Sequence, residues 1–137
     1  MDTAIAYAVS AFEIRGSHKS LSVIASFTSV ETMVNFEFRN IDPEKCETCG
    51  QLRFSVAKKY RDFLLKYIGD SPTNKQKFNR FYTLRSKIVH TGERFKTETL
   101  FNEATTEQQD QEFIDHLEIV QLCRLAIVQW LLKNPPE

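Results

Sequence analysis

Val23, Phe27, Val30, Val34 and Phe38 recur at spacings of four and three, which brings them onto one face of an α-helix and onto no single face of a strand. The same period returns downstream. Val56, Tyr60, Phe63, Leu64 and Tyr67 form a second stripe, and Phe78, Phe81, Tyr82, Leu84 and Ile88 a third. Phe113, Leu117, Val120, Arg124, Ile127 and Leu131 form a fourth. Faces of this kind are buried helix against helix. Only four Gly and four Pro punctuate the 137 residues, too few for the turns of a sandwich or barrel. The expected fold is all-α, a bundle of four to five helices in a single domain over residues 1–137.

Punctuation sets the expected boundaries. Residues 1–14 are apolar and Ala-rich, compatible with a helix or a strand, and Gly16-Ser17-His18 breaks them off. Helices are expected from Ser20 to Arg39, Ser55 to Ile68 and Lys75 to Val89, with a polar loop over 40–50. Gly69 to Pro72 stops the middle one, and Gly92 suits the left-handed turn that follows a helix. Residues 93–106 are mixed and polar and read as a mobile loop. Thr106 and Gln109 have the spacing of a capping box for the last helix, which Pro135-Pro136 ends.

Lys plus Arg equals Asp plus Glu at 18 each, which excludes a strongly basic nucleic-acid coat. Contact with RNA then rests on a local basic patch and is salt-sensitive. Positive charge gathers at Lys58, Lys59, Arg61, Lys66, Lys75, Lys77, Arg80, Arg85 and Lys87, interleaved with aromatic residues. Such a run either steers RNA or forms solvated helix faces over an aromatic core. The most apolar stretch, Ile119 to Leu132, is interrupted by Gln121, Arg124 and Gln129, so it reads as a buried helix and not a membrane span. The first residues lack the basic-then-apolar order of a signal peptide. Three Cys without an export signal fit a reducing cytoplasm.

Arg85 and His90 stand near the end of the third helix, just before Gly92. Their bare spacing carries little information, but their context carries more. A His in the last turn sits at the negative end of the helix dipole, which favours the protonated imidazole. The string Phe81-Tyr-Thr-Leu-Arg-Ser-Lys-Ile-Val-His-Thr-Gly92 resembles the signature of the HEPN superfamily, most of all its Apea-like branch: an Arg, a polar residue, and a short spacer ending in His. The resemblance runs from about Ser20 to Leu132.

It implies a helical bundle that dimerises with both motifs facing one cleft, and a metal-independent endoribonuclease with no cofactor for catalysis. The RNA 2′-hydroxyl would attack the adjacent phosphate, leaving a cyclic phosphate and a free 5′-hydroxyl. His90 would serve as general acid or base. Arg85 would hold the phosphate through its planar fork, and Ser86 would orient either group. Glu31, on the second helix, matches an acidic residue that branch members often carry facing the motif, so it would orient Arg85 or His90. The bland alternative for Glu31 is a solvent-exposed helix charge. Lys87, Arg80 and Arg94 are the expected RNA-binding residues.

Residues five apart on an ideal helix point about 140° apart. Arg85 and His90 therefore converge on one phosphate only across a dimer axis or at a distorted helix end. The resemblance also implies further partners: an antitoxin, or additional domains of a longer protein. Toxins of the family that are paired with nucleotidyltransferases carry a Tyr two residues after the His. Gly92 holds that place here, so that regulation does not transfer. The competing expectation is a non-catalytic interaction domain in which Arg85 pairs with a carboxylate and His90 caps its helix.

Cys46 and Cys49 have the two-residue gap of a zinc knuckle. A structural zinc needs further ligands, from His18 or from a second chain, because no second Cys-x-x-Cys occurs. Unmetallated loop thiols and a redox pair are the other readings, and Cys123 reads as core.

Overall fold

The computed structural model describes residues 1–42, 44–45, 47–48, 52–53, 56–101 and 103–135. Among them lie five α-helices: α1 (Asp2–Ile14), α2 (Lys19–Glu37), α3 (Val56–Ile68), α4 (Pro72–Thr91) and α5 (Thr106–Lys133). The molecule is an all-helical bundle, as the four stripes predict. No helix among the described residues is long and apolar enough to cross a membrane. Between α2 and α3 two short strands pair antiparallel, the first within the stretch read as a polar loop and the second just beyond it. These are β1 (Glu44–Lys45) and β2 (Leu52–Arg53), with Glu44 opposite Arg53 and Lys45 opposite Leu52.

The first residues are helical, and α1 packs more extensively on α2 than on any other helix. Alanine supplies the propensity, and small side chains supply the fit. Ala4 and Ala11 are buried on α1, as are Ser22, Ser26 and Ser29 on α2. The hydroxyls of Ser26 and Ser29 donate to carbonyls of their own helix, Ser22 O and Ser26 O, so these polar residues are buried with their donors satisfied. Ser22 Oγ donates outward, to Ala11 O at 2.7 Å. His116 Nε2 of α5 lies 3.1 Å from the same Oγ. Since the Ser22 proton is committed to Ala11, Nε2 must donate, which fixes the His116 tautomer. One buried hydroxyl thus ties three helices together.

The α3 and α4 stripes are occupied largely as expected. Tyr60, Phe63, Leu64 and Tyr67 are buried on α3, and Phe78, Phe81 and Ile88 on α4. Val56, in the opening turn of α3, is exposed instead. Phe27 stacks on Tyr60 at 5.0 Å, and Tyr82 closes over both. At the far end of the bundle Glu37 accepts from Tyr67 Oη and Trp130 Nε1, each at 2.8 Å, and pairs with Lys66. That carboxylate joins α2, α3 and α5.

On α5 the buried face is His116, Ile119, Val120, Cys123, Ala126, Ile127 and Trp130. It is rotated by about one residue, or about 100°, from the predicted stripe. Phe113 is exposed. Val120 and Ile127 are common to both faces, whereas His116 and Cys123, which lie against the serines of α2, join Ile119, Ala126 and Trp130 in the true one. The capping box also shifts. Thr105, not Thr106, is the N-cap, and it exchanges hydrogen bonds with Gln108.

Residues 95–98, within the stretch read as a mobile loop, are anchored to α2 and α5. Glu98 accepts from the Ser20 amide and hydroxyl at the start of α2. Glu112 accepts from the amides of Lys96 and Thr97, and Phe95 is buried.

Candidate active site

Helix α4 begins on Ser71, whose Oγ accepts from Asn74 N, and on Pro72, whose fixed φ suits the first turn. It ends on Gly92 at φ 70°, a left-handed turn open to glycine at no steric cost. The helix is regular from Arg85 through His90. The two side chains therefore keep about 140° between them, and of the two expected ways to converge, a distorted helix end does not occur.

Arg85 turns toward α2. Its Nη2 lies 3.0 Å from both carboxylate oxygens of Glu31 and hydrogen-bonds to Oε2. Both side chains are largely withdrawn from solvent, 19% and 18% exposed. The guanidinium carbon stands 5.8 Å from the centre of the Tyr82 ring. Nε and Nη1 make no hydrogen bond among the described residues, so the fork keeps donors to spare. Glu31 Oε1 is buried and receives no hydrogen bond among the described residues. Glu31 thus faces Arg85, not solvent.

Beneath this pair the surroundings are dry. Burial pushes the Cys123 thiol up to about 12, with the Glu31 charge adding to the effect. Tyr60, whose hydroxyl lies 3.8 Å from Cys123 Sγ, is raised well above the ordinary phenol value, again by burial first. Neither group titrates near neutrality, so Cys123 is a core residue, as expected.

His90 is exposed, Ser86 is half-buried, and neither side chain has a hydrogen-bond partner among the described residues. Lys87 is exposed and stands 4.0 Å from Glu93. Arg94 is exposed, with no ion pair among the described residues. Arg80 is tied to α5 instead, its Nη1 at 2.8 Å from both oxygens of Asp115. Other cations of the mid-chain basic run are paired as well. Lys66 pairs with Glu37, Lys75 with Asp70 and Lys77 with Glu118. The interleaved aromatic rings are mainly core, and sequence reading missed Glu37, Asp115 and Glu118 as partners because they lie on other helices; Asp70 lies in the turn before α4.

Cys46 and Cys49 lie outside the described residues. Among the described residues, no group of three or more His, Cys, Asp or Glu is arranged to hold a metal ion. Sequence reasoning also missed a groove of about 400 Å³ between α1 and α5, lined mainly by Ile5, Val9, Phe12, Ile127 and Leu131. Its signal was present in the apolar residues of α1 that alternate with alanines.

Comparison with protein-family models, with curated proteins and with solved structures finds no match to this chain.

Proposed function

We propose that the chain is a metal-independent endoribonuclease of the HEPN type, acting as a cytoplasmic homodimer in defence or stress response. The observation that carries this reading is the state of α4: Arg85 is held at 3.0 Å by Glu31 with donors left over, and five residues on His90 stands exposed and unpaired among the described residues. That is what phosphate binding and proton transfer require of an Arg and a His. Holding the guanidinium in place before substrate arrives removes a reorganisation cost from the transition state.

In the proposed reaction an imidazole takes the proton of the RNA 2′-hydroxyl, and that oxygen attacks phosphorus. The bond to the 5′-oxygen then breaks, and a second imidazole protonates the leaving oxygen. On this reading the two imidazoles are His90 and the partner's His90 across a two-fold axis, an arrangement favoured by the about 140° between Arg85 and His90 on one helix. Arg85 neutralises the charge that grows on phosphate, Ser86 orients it, and Lys87 and Arg94 hold the flanking strand. Arg80, paired with Asp115, contributes little to RNA binding on this reading. Glu31 is a positioning residue. An antitoxin or additional domains would supply control, and a zinc on Cys46 and Cys49 would be structural.

The test is to incubate the purified chain and His90→Ala with a mixed RNA pool in EDTA. Cleavage by the parent, with cyclic-phosphate ends and loss in the variant, supports the reading. Equal cleavage by both overturns it. A second reading draws on the Arg85–Glu31 pair itself: the pair satisfies Arg85 within the bundle, which also suits a non-catalytic interaction domain. An intact RNA pool favours that alternative.

A further inference from the structure

The seam between α2 and α4 continues beyond the Arg85–Glu31 pair. Toward the C-terminal end of α4 it opens into a groove of about 380 Å³. Leu21, Ile24 and Ile88 are its apolar walls, and Leu21 is 54% exposed. His18 and Arg94 stand at its rim, and neither side chain has a partner among the described residues.

Two carboxylates also line the groove, Glu93 and Glu98. Glu98 is spent on Ser20, whereas among the described residues Glu93 has only the 4.0 Å contact to Lys87. Their negative charge argues against a phosphate in this groove. The walls and rim instead suit a flat, neutral group with hydrogen-bonding edges. An imidazole and a guanidinium provide planes for stacking such a group, and unstacked bases of single-stranded RNA are recognised in this way. The groove also lies at the right remove: Gly92, on its edge, is seven residues past Arg85, about 10 Å along the helix axis, within the reach of one nucleotide.

We infer that this groove is a nucleobase subsite, taking an unstacked base of the strand whose phosphate Arg85 holds. Glu93 accepts a hydrogen bond from an exocyclic amino group, so a base carrying one is preferred to uracil. The inference rests on the proposed ribonuclease reading and adds the source of its base preference.

The probes are uncleavable 2′-O-methyl dinucleotides bearing two adenines, two uracils or no bases, titrated against the full chain with amide chemical shifts as the readout. The adenine dinucleotide should bind about 5- to 100-fold more tightly than the abasic one, bind more tightly than the uracil one, and shift the amides of Leu21, Gly92 and Arg94. Leu21→Trp fills the groove and should erase the base-dependent gain while shifts near Arg85 persist. If that variant misfolds by circular dichroism, Arg94→Ala at the exposed rim should reduce the same gain. Adenine binding no more tightly than the uracil or abasic probes, or shifting amides outside the groove, overturns the inference. Base-dependent binding with an uncut RNA pool would sink the ribonuclease reading and leave the subsite standing; cleavage without base dependence would do the reverse.

Discussion

Arg85 on α4 meets Glu31 on α2 at 3.0 Å, with each side chain less than one-fifth exposed. Fifty-four residues separate them in sequence, so only the bundle brings them together. Removing the carboxylate leaves a guanidinium largely out of water with a lost charge-assisted hydrogen bond. Glu31→Ala should therefore lower stability by about 1–3 kcal/mol, read as the urea midpoint at constant slope. Arg85→Ala on top of it should add much less than it costs alone, and simple additivity of the two losses would show that the pair is not coupled.

His90→Ala should leave the urea midpoint unchanged, because the side chain is exposed and has no hydrogen-bond partner among the described residues. On the proposed mechanism it should slow RNA cleavage by roughly 10²–10⁴-fold. Arg85→Lys should recover little, since a point charge does not reproduce the planar fork. A 2′-deoxy residue at the cut site should block cleavage while binding persists.

The His116 imidazole, buried and hydrogen-bonded to Ser22, is pushed below its ordinary value by burial first and then by the nearby Lys19 charge. The unfolded chain takes up a proton at this His as pH falls through about 6.5, while the folded chain does so only at lower pH. Stability from this group is therefore full above that value and lost as pH drops below it, by at most about 1.4 kcal/mol per pH unit. Urea midpoints at pH 7.5 and 5.5 should differ less in His116→Gln than in the parent; an unchanged difference would assign the pH dependence elsewhere.

Glu37 accepts from Tyr67 and Trp130 and pairs with Lys66. Glu37→Ala orphans the phenol and the indole and should destabilise by about 2–4 kcal/mol. Glu37→Gln keeps an acceptor oxygen and should cost less. Thermal melts followed by circular dichroism rank the two, and equal losses would mean that the volume of the side chain matters and its hydrogen bonds do not.

Light scattering addresses assembly. The regular α4 leaves a two-fold dimer as the way for Arg85 and His90 to meet on one phosphate, so the chain should weigh as a dimer. A monomer at high micromolar concentration would count strongly against the two-imidazole mechanism.

The helices were readable in sequence where large apolar residues set the period, as at Tyr60, Phe63, Leu64 and Tyr67. They were less readable where small residues do the packing. Ala4 and Ala11 on α1 and Ser22, Ser26 and Ser29 on α2 are buried, small residues with little hydropathy contrast, and the face of α5 was misjudged because His116, Cys123 and Ala126 occupy it. The capping register was ambiguous because Thr105 and Thr106 each have a Gln three residues on. Around Arg85 the motif was legible, and Glu31 was a candidate partner for either Arg85 or His90; the packing of α2 on α4 sets it against Arg85. The pairing of Arg80 with Asp115 was hidden because long-range ion pairs leave no local pattern.

The chain has a single tryptophan, and its indole N–H is bound to Glu37 where α2, α3 and α5 converge. Trp130 is therefore a built-in fluorescent reporter of that joint. Its emission should move to longer wavelength when the joint opens and admits water. Fraying of the motif end, on the far side of the bundle, should pass unseen by the same signal.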